Sequence, residues 1–248
     1  MKTWNKFIKI TFVGLLITTL ASCSAIHTSV AKRNLDVQTK VSTAIFVDPV
    51  PAEQRKIYLE VRSAVMEFDR NSFRKALSHQ LVNSGNGYTL TDNPDNAQYR
   101  MSVFVRNLEK TTPEAASSAL SAGFQGVAIG AAASAATGGS YRGAAATGLA
   151  VGLASTVANA FVQDVVYLLV ADIQIKERAK QGVIVRRDSK INSKISDDGA
   201  TTQTYSEATN LKEYRTRVVT TANKANLELA EAQSLMFDKT AYAMSAFF

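Results

Sequence analysis

From Lys56 to Ser63 the chain reads KIYLEVRS, in which Ile57, Leu59 and Val61 alternate with Tyr58, Glu60 and Arg62. A period of two predicts a strand with one buried face. Between Asp69 and Ser84 the period changes, because Phe73, Leu77 and Leu81 recur every four residues and Gly85 and Gly87 follow. That is the pattern of an amphipathic helix with a glycine stop. GYTLTD and QYRMSVFVRNLEK predict two more strands, the second with Met101, Val103 and Val105 on one face. With the apolar triplet Ile45-Phe46-Val47 ahead of them, residues 45–112 read strand, strand, helix, strand, strand. A helix laid on a sheet buries both apolar faces.

Farther along, DVVYLLVADIQIKER predicts a long strand with Ile173 and Ile175 in the opposite phase to Asp172, Gln174 and Lys176, and YRTRVVTT predicts its returning partner. The last element, from about Lys224 to Phe248, carries Phe237, Ala241, Met244 and Phe248 at helical spacing and is expected to pack on the sheet. The polar stretch Ala179 to Ala200 has few apolar anchors and predicts a mobile loop.

Residues 115–163 break the pattern, since Arg142 is their only charged side chain. The turn signal GGSYR divides them into Ser117 to Thr137 and Gly143 to Gln163, each of 21 residues. At ~1.5 Å per residue each run is about 30 Å long as a helix, the thickness of a hydrocarbon core. Small residues recur every fourth position, among them Gly126 and Gly130 in the first run and Gly148 and Gly152 in the second. Such a stripe lets helix backbones approach closely where no hydrophobic effect separates helix from lipid. The expectation is a membrane-spanning helical hairpin with Gly139, Tyr141 and Arg142 at a surface turn. A ring of hairpins gives each helix two neighbours, so a homo-oligomer is expected as well. A soluble, alanine-rich helical pair is the alternative.

At the amino end, Lys2, Lys6 and Lys9 precede an apolar run from Ile10 to Leu20 and the small residues Ala21 and Ser22. This is the order of a secretory signal, with an apolar core too short to span a bilayer. Leu20-Ala21-Ser22-Cys23 resembles a bacterial lipobox, in which the sulfur of Cys23 takes a diacylglyceryl group and the new amino terminus is acylated. Ser24 follows, where an aspartate would favour retention in the inner membrane, so an outer-membrane, lipid-anchored location is expected. Each buried CH2 contributes about 0.8 kcal/mol, and two lipid signals already anchor stably. Cys23 is the only cysteine, which leaves no intramolecular disulfide. The chain then divides into a signal at 1–22, a lipidated tether at 23–44, the first part of the folded domain at 45–112, the uncharged insert at 115–163 and the second part at 164–248.

Charge adds little to this picture. The formal net charge is +7, and loss of three signal lysines and no acids leaves 25 basic against 21 acidic side chains, a net of +4. No basic run is dense enough to argue for nucleic acid. His27 and His79 are the only histidines and lack the spaced partners of a metal site. There is no nucleophile elbow and no phosphate-binding glycine loop ahead of a lysine. No catalytic residue, metal ligand or cofactor is therefore assigned beyond the covalent lipid on Cys23, and an enzyme is not expected.

The lipobox, KRNLDVQTKVSTAIFVDP, GFQGVAIGAA, DVVYLLVADIQIKER and YRTRVVTTANKANL, in that order over essentially the whole mature chain, resemble the TraT family of outer-membrane lipoproteins of conjugative plasmids. The resemblance implies surface exclusion, complement resistance and oligomers in the outer membrane, with Cys23 as the lipid-bearing residue and the turn at Gly138 to Arg142 exposed. It supplies no catalytic residues. The expected fold is α+β, a small sheet domain with packed amphipathic helices plus an inserted glycine-rich transmembrane helical hairpin. The expected function is an interaction protein that blocks mating-pair stabilisation, its partners being membrane lipid, further copies of itself and a pilus or outer-membrane protein of the mating cell. An oligomeric channel or secretion-associated lipoprotein is the alternative.

Replacing the sulfur tests the anchor directly. Intact mass of detergent-extracted protein should show acyl mass on the wild type beginning at Cys23, and a Cys23→Ala form should carry none.

Overall fold

The two longest alternating stretches form β5 (Asp164–Arg178) and β8 (Leu211–Ala225), which pair antiparallel from end to end. The computed structural model describes residues 32–121, 163–195 and 199–248. Around the central pair the sheet grows on both sides. β1 (Asp36–Val41) pairs antiparallel with β8, and β4 (Tyr99–Thr111) pairs antiparallel with β5. β2 (Lys56–Ser63) then runs parallel to β4, and the two-residue β3 (Thr89–Leu90) runs parallel to β2. The order across the six strands is β1-β8-β5-β4-β2-β3. A second, two-stranded sheet is formed by β6 (Val185–Ile195) and β7 (Gly199–Thr209).

The parallel neighbours β2 and β4 need a crossover, and α1 (Arg70–Asn83) supplies it. Asp69 caps this helix, its carboxylate accepting from the main-chain N–H groups of Asn71 at 3.1 Å and Ser72 at 3.0 Å. Phe73, Leu77 and Leu81 are its buried residues. Gly85 and Gly87 follow with φ of 82° and 70°, a left-handed turn that a side chain would disfavour. α3 (Leu229–Ser245) lies beside α1 and covers the same sheet face, burying Met236, Phe237, Ala241 and Met244. Phe68, Phe73 and Phe237 meet at ring separations of 5.1 to 5.4 Å, which closes the seam between the helices.

A bulge at Val105–Asn107 preserves this arrangement along β4. The extra residue shifts the alternation, so that Leu108 joins Val103 and Val105 in the helix-side core. The third helix, α2 (Pro113–Ser121), packs on the other sheet face, where Ala119 and Leu120 meet Leu168, Val170 and Val219.

Several expectations are corrected. The α+β description gives way to a mostly β architecture, because the strands run longer than the pattern marks and the polar stretch read as a mobile loop contains β6 and the start of β7. Its cross-strand ladder, with Arg187 opposite Glu207 and Ile191 opposite Gln203, holds it without a continuous apolar face. The stretch before Ile45, where the pattern marks no strand, supplies β1, while Ile45-Phe46-Val47 forms none. The transmembrane helical hairpin is likewise corrected as far as the described residues reach, and residues 122–162 lie outside them. Among the described residues no helix is long and apolar enough to cross a membrane. Ser117–Ser121, expected to begin the first span, instead belong to a nine-residue helix seated on the sheet. There Ala119 and Leu120 turn to the sheet face rather than to lipid.

Phe73 is fully buried at the helix seam, whereas Met66 in the loop before α1 is 97% exposed. Urea unfolding should show Phe73→Ala losing about 3–5 kcal/mol and Met66→Ala changing by less than about 0.5 kcal/mol.

Candidate functional site

Alternation leaves one face of β2, β4, β5 and β8 without a helix over much of its length, and the register sets its side chains in rows. One row runs Arg217, Asp172, Phe104, Arg62 across β8, β5, β4 and β2. The next runs Arg215, Gln174, Ser102, Glu60. Together with Ser42 and Thr43 beyond the end of β1, the rows, Glu60 apart, line a groove of about 770 Å³.

Ion pairs fix the charged side chains in place. Arg217 grips Asp172 with Nε on Oδ1 at 2.5 Å and Nη2 on Oδ2 at 3.1 Å, and Arg106, the bulge residue, adds Nη1 on Oδ2 at 3.1 Å. Arg62 donates from Nε and Nη2 to Glu60 Oε1 at 2.9 and 2.7 Å, and Ser102 Oγ donates to the other oxygen of Glu60 at 3.3 Å. Arg215 Nε donates to Glu213 Oε1 at 2.6 Å. Burial works against ionisation of Glu213, but hydrogen bonds from Gln174 and Arg215 outweigh it and hold the carboxyl below its ordinary value. Arg187 of β6 reaches the second oxygen of Glu213 at 2.6 Å and also pairs with Glu207 of β7. This is how the ribbon is tied to the sheet.

On the helix side, a second polar cluster surrounds Glu177, which is only 2% exposed. Its Oε2 accepts from the Tyr214 hydroxyl at 2.9 Å and from the Asp48 main-chain N–H at 3.4 Å, and its Oε1 accepts from Lys212 at 3.5 Å. Lys212 also donates to Asp48 Oδ2 at 2.5 Å, and the Tyr99 hydroxyl donates to the Asp48 carbonyl at 2.6 Å. The cluster straps the segment after β1 across the sheet end. The bond from Lys212 lowers the Asp48 carboxyl, and the same bond raises the Lys212 ammonium against the opposing effect of burial. Burial, reinforced by the bond to Glu177, raises the Tyr214 hydroxyl, and burial raises Tyr99 as well. These bonds join strand to strand and strand to strap, so the cluster is structural. Among the described residues no group of three or more side chains could hold a metal ion.

Cys23, the glycines at 126, 130, 148 and 152, and the turn residues Gly139, Tyr141 and Arg142 all lie outside the described residues. The sequence reading did not select Arg62, Phe104, Arg215 or Arg217. Each stands on the polar phase of an alternating strand, which from sequence alone reads as solvent-facing; only the strand order brings the four to one groove.

The family model described as enterobacterial TraT complement resistance protein matches residues 34–248. A TraT complement resistance protein of Escherichia coli is 34% identical over 249 residues, covering 99% of each chain. That of Escherichia coli strain K12 is 34% identical over 243 residues, 96% of this chain and 97% of the relative. One from Wigglesworthia glossinidia brevipalpis is 23% identical over 246 residues, 98% of this chain and 97% of the relative. Among solved structures, a PelC dodecamer from Paraburkholderia phytofirmans aligns over 84% of this chain and 96% of that chain, at 8% identity and a TM-score of 0.29. That score is too low to carry an argument.

The strap makes stability sensitive to alkali. Tyr99, Tyr214 and Lys212 hold their protons more tightly when folded, so above their ordinary values of 10.0 and 10.5 the unfolded chain binds fewer protons than the folded one. Their contribution is complete below about pH 10 and is lost as the pH rises through the folded values. Thermal melts should show Tm falling above about pH 10, less steeply in Tyr214→Phe than in the wild type; equal slopes would remove Tyr214 from this account.

Proposed function

Because the chain belongs to the TraT family, whose family-level function is complement resistance, we propose that it is an outer-membrane lipoprotein that acts by binding at the cell surface. Acyl chains on Cys23 anchor it, and copies of the chain assemble into a homo-oligomer. Besides resisting complement, the assembly excludes incoming conjugation partners by occupying a pilus or outer-membrane protein needed to stabilise the mating pair. TraT proteins are not a known enzyme family, and the mechanism has no chemical step. The observation that carries the reading is the family match over residues 34–248 in a chain that also bears the lipobox Leu20-Ala21-Ser22-Cys23.

The topology supports an anchored orientation. Lys32, the first described residue and part of the stretch expected as tether, accepts a main-chain hydrogen bond from Ala225 at the end of β8. Gln163, where the chain returns from the uncharged insert, is held at the same end by Asn226. The Asn226 main-chain N–H donates to the Gln163 carbonyl at 2.8 Å, and the Asn226 side-chain oxygen accepts from the Gln163 N–H at 2.8 Å. Asn226 adopts φ of 53°, a left-handed conformation that asparagine tolerates. The lipid-bearing tether thus enters beside the point where the insert rejoins the sheet, and the β6–β7 ribbon projects from the opposite end of β5 and β8. An anchor at the first end presents the ribbon and the ion-paired sheet face away from the lipid.

Expression in a serum-sensitive, plasmid-free host tests the reading. The wild type should raise survival in fresh serum and lower recipient frequency in mating, each at least tenfold, with no survival difference in heat-inactivated serum. Cys23→Ala should lose both effects. A wild type without either effect, or a fully active Cys23→Ala form, would overturn it.

A further inference from the structure

We propose that the groove on the helix-free sheet face binds a phosphorylated saccharide. The inference rests on the reading of this chain as a binding protein and names a ligand class for one of its surfaces.

Unspent donors are the first observation. Among the described residues Arg215 commits only Nε, to Glu213, leaving both terminal nitrogens, and its side chain is 74% exposed. Among the described residues Arg62 places Nε and Nη2 on a single oxygen of Glu60, leaving Nη1, and its side chain is 67% exposed. A guanidinium with paired N–H groups free matches two oxygens of a phosphate. The carboxylate that lines the groove, Asp172, is already shared by Arg217 and Arg106 and leaves that trio with a net positive charge. Arg62 and Arg215 each pair with one glutamate through only part of the guanidinium, so an incoming anion meets remaining N–H groups at both ends and a neutralised carboxylate between them.

The space between the two arginines is the second observation. Phe104 stands there, 43% exposed, and presents an apolar ring of the kind on which the C–H face of a sugar stacks. Hydroxyls of Ser102 and Thr43 and the amide of Gln174 line the same groove and can exchange hydrogen bonds with ring hydroxyls. Arg62 and Arg215 lie three strand spacings and one two-residue step apart, about 14 Å across the sheet and about 7 Å along it. Two linked sugar rings with a phosphate at each end bridge that separation. A groove of about 770 Å³ is the size of a small-ligand site and far larger than a phosphate ion needs.

An acidic peptide is the competing occupant. β4 and β5 are paired on both sides, so the groove floor offers no free main-chain groups to align a peptide backbone. Side-chain hydroxyls, an amide and an aromatic ring suit a saccharide better.

Calorimetric titration of the detergent-solubilised, full-length mature protein tests the proposal. The probes are a glucosamine disaccharide with a phosphate at each end, the same disaccharide without phosphates, inorganic phosphate and a short polyglutamate. The bisphosphorylated disaccharide should bind, and each other probe should bind at least tenfold more weakly. Arg62→Gln with Arg215→Gln should lower affinity for it at least tenfold, and Phe104→Leu should lower it several-fold. The arginines are exposed, so an unchanged melting temperature will show that the double variant folds. Equal binding of the unphosphorylated sugar, equal or tighter binding of phosphate or polyglutamate, or unchanged affinity in the double variant would each overturn the proposal. Failure here with serum survival and exclusion intact removes the saccharide alone; loss of those phenotypes in the wild type removes the broader reading.

Discussion

The uninterrupted antiparallel ladder between β5 and β8 is the constraint on which the remaining structure depends. Its fifteen pairs, from Asp164 opposite Ala225 to Arg178 opposite Leu211, fix the phase of every side chain on both strands. A slip of one residue would turn Ile173, Ile175 and Val218 from the helix-covered core to the open face and bring Asp172 and Arg217 inward. The slip is opposed twice, by burial on one face and by the Asp172–Arg217 fork on the other.

From this ladder the two faces acquire different physics. The helix side is dry, with Phe73, Leu77, Met236 and Met244 fully buried against strand residues, and the polar side chains that enter it among the described residues are hydrogen-bonded, Thr216 and Ser245 to main-chain carbonyls. Thr220 meets Thr240 at 2.7 Å, and Glu177 is held by Tyr214, Lys212 and the Asp48 main chain. A buried carboxylate without those donors would be strongly unfavourable, which explains why the strap after β1 is drawn across that end. The other face is apolar under α2 and elsewhere carries ion pairs and neutral polar side chains around the exposed ring of Phe104. Its exposed ion pairs contribute little to stability individually, so their consequence is a surface of fixed charges rather than a stronger fold.

The ribbon β6–β7 belongs to neither face. A two-stranded sheet is marginal in water, and this one gains from Arg187, which joins Glu207 across the ribbon to Glu213 on the sheet. A single side chain thereby couples the position of a projecting element to the rows of charge beside the groove.

The sequence by itself determined the elements whose apolar period is unbroken: β2, the body of β4, β5, the core of β8, α1 with its glycine stop, and the final helix. Local steric and burial preferences suffice there, because one strand face or one helix stripe is apolar throughout. It also carried the family, through motifs spread along the chain. Only the tertiary structure decided that Asp36–Val41 is a strand, since its polar alternation becomes meaningful when β8 offers a partner, and that Val185–Ile195 and Gly199–Thr209 pair rather than wander. The groove was illegible for the same reason. Arg62, Phe104, Asp172 and Arg217 come from four strands whose order, β2-β4-β5-β8, is a long-range property that local alternation does not encode. Periodicity reports which way a side chain faces, and pairing decides what it faces beside.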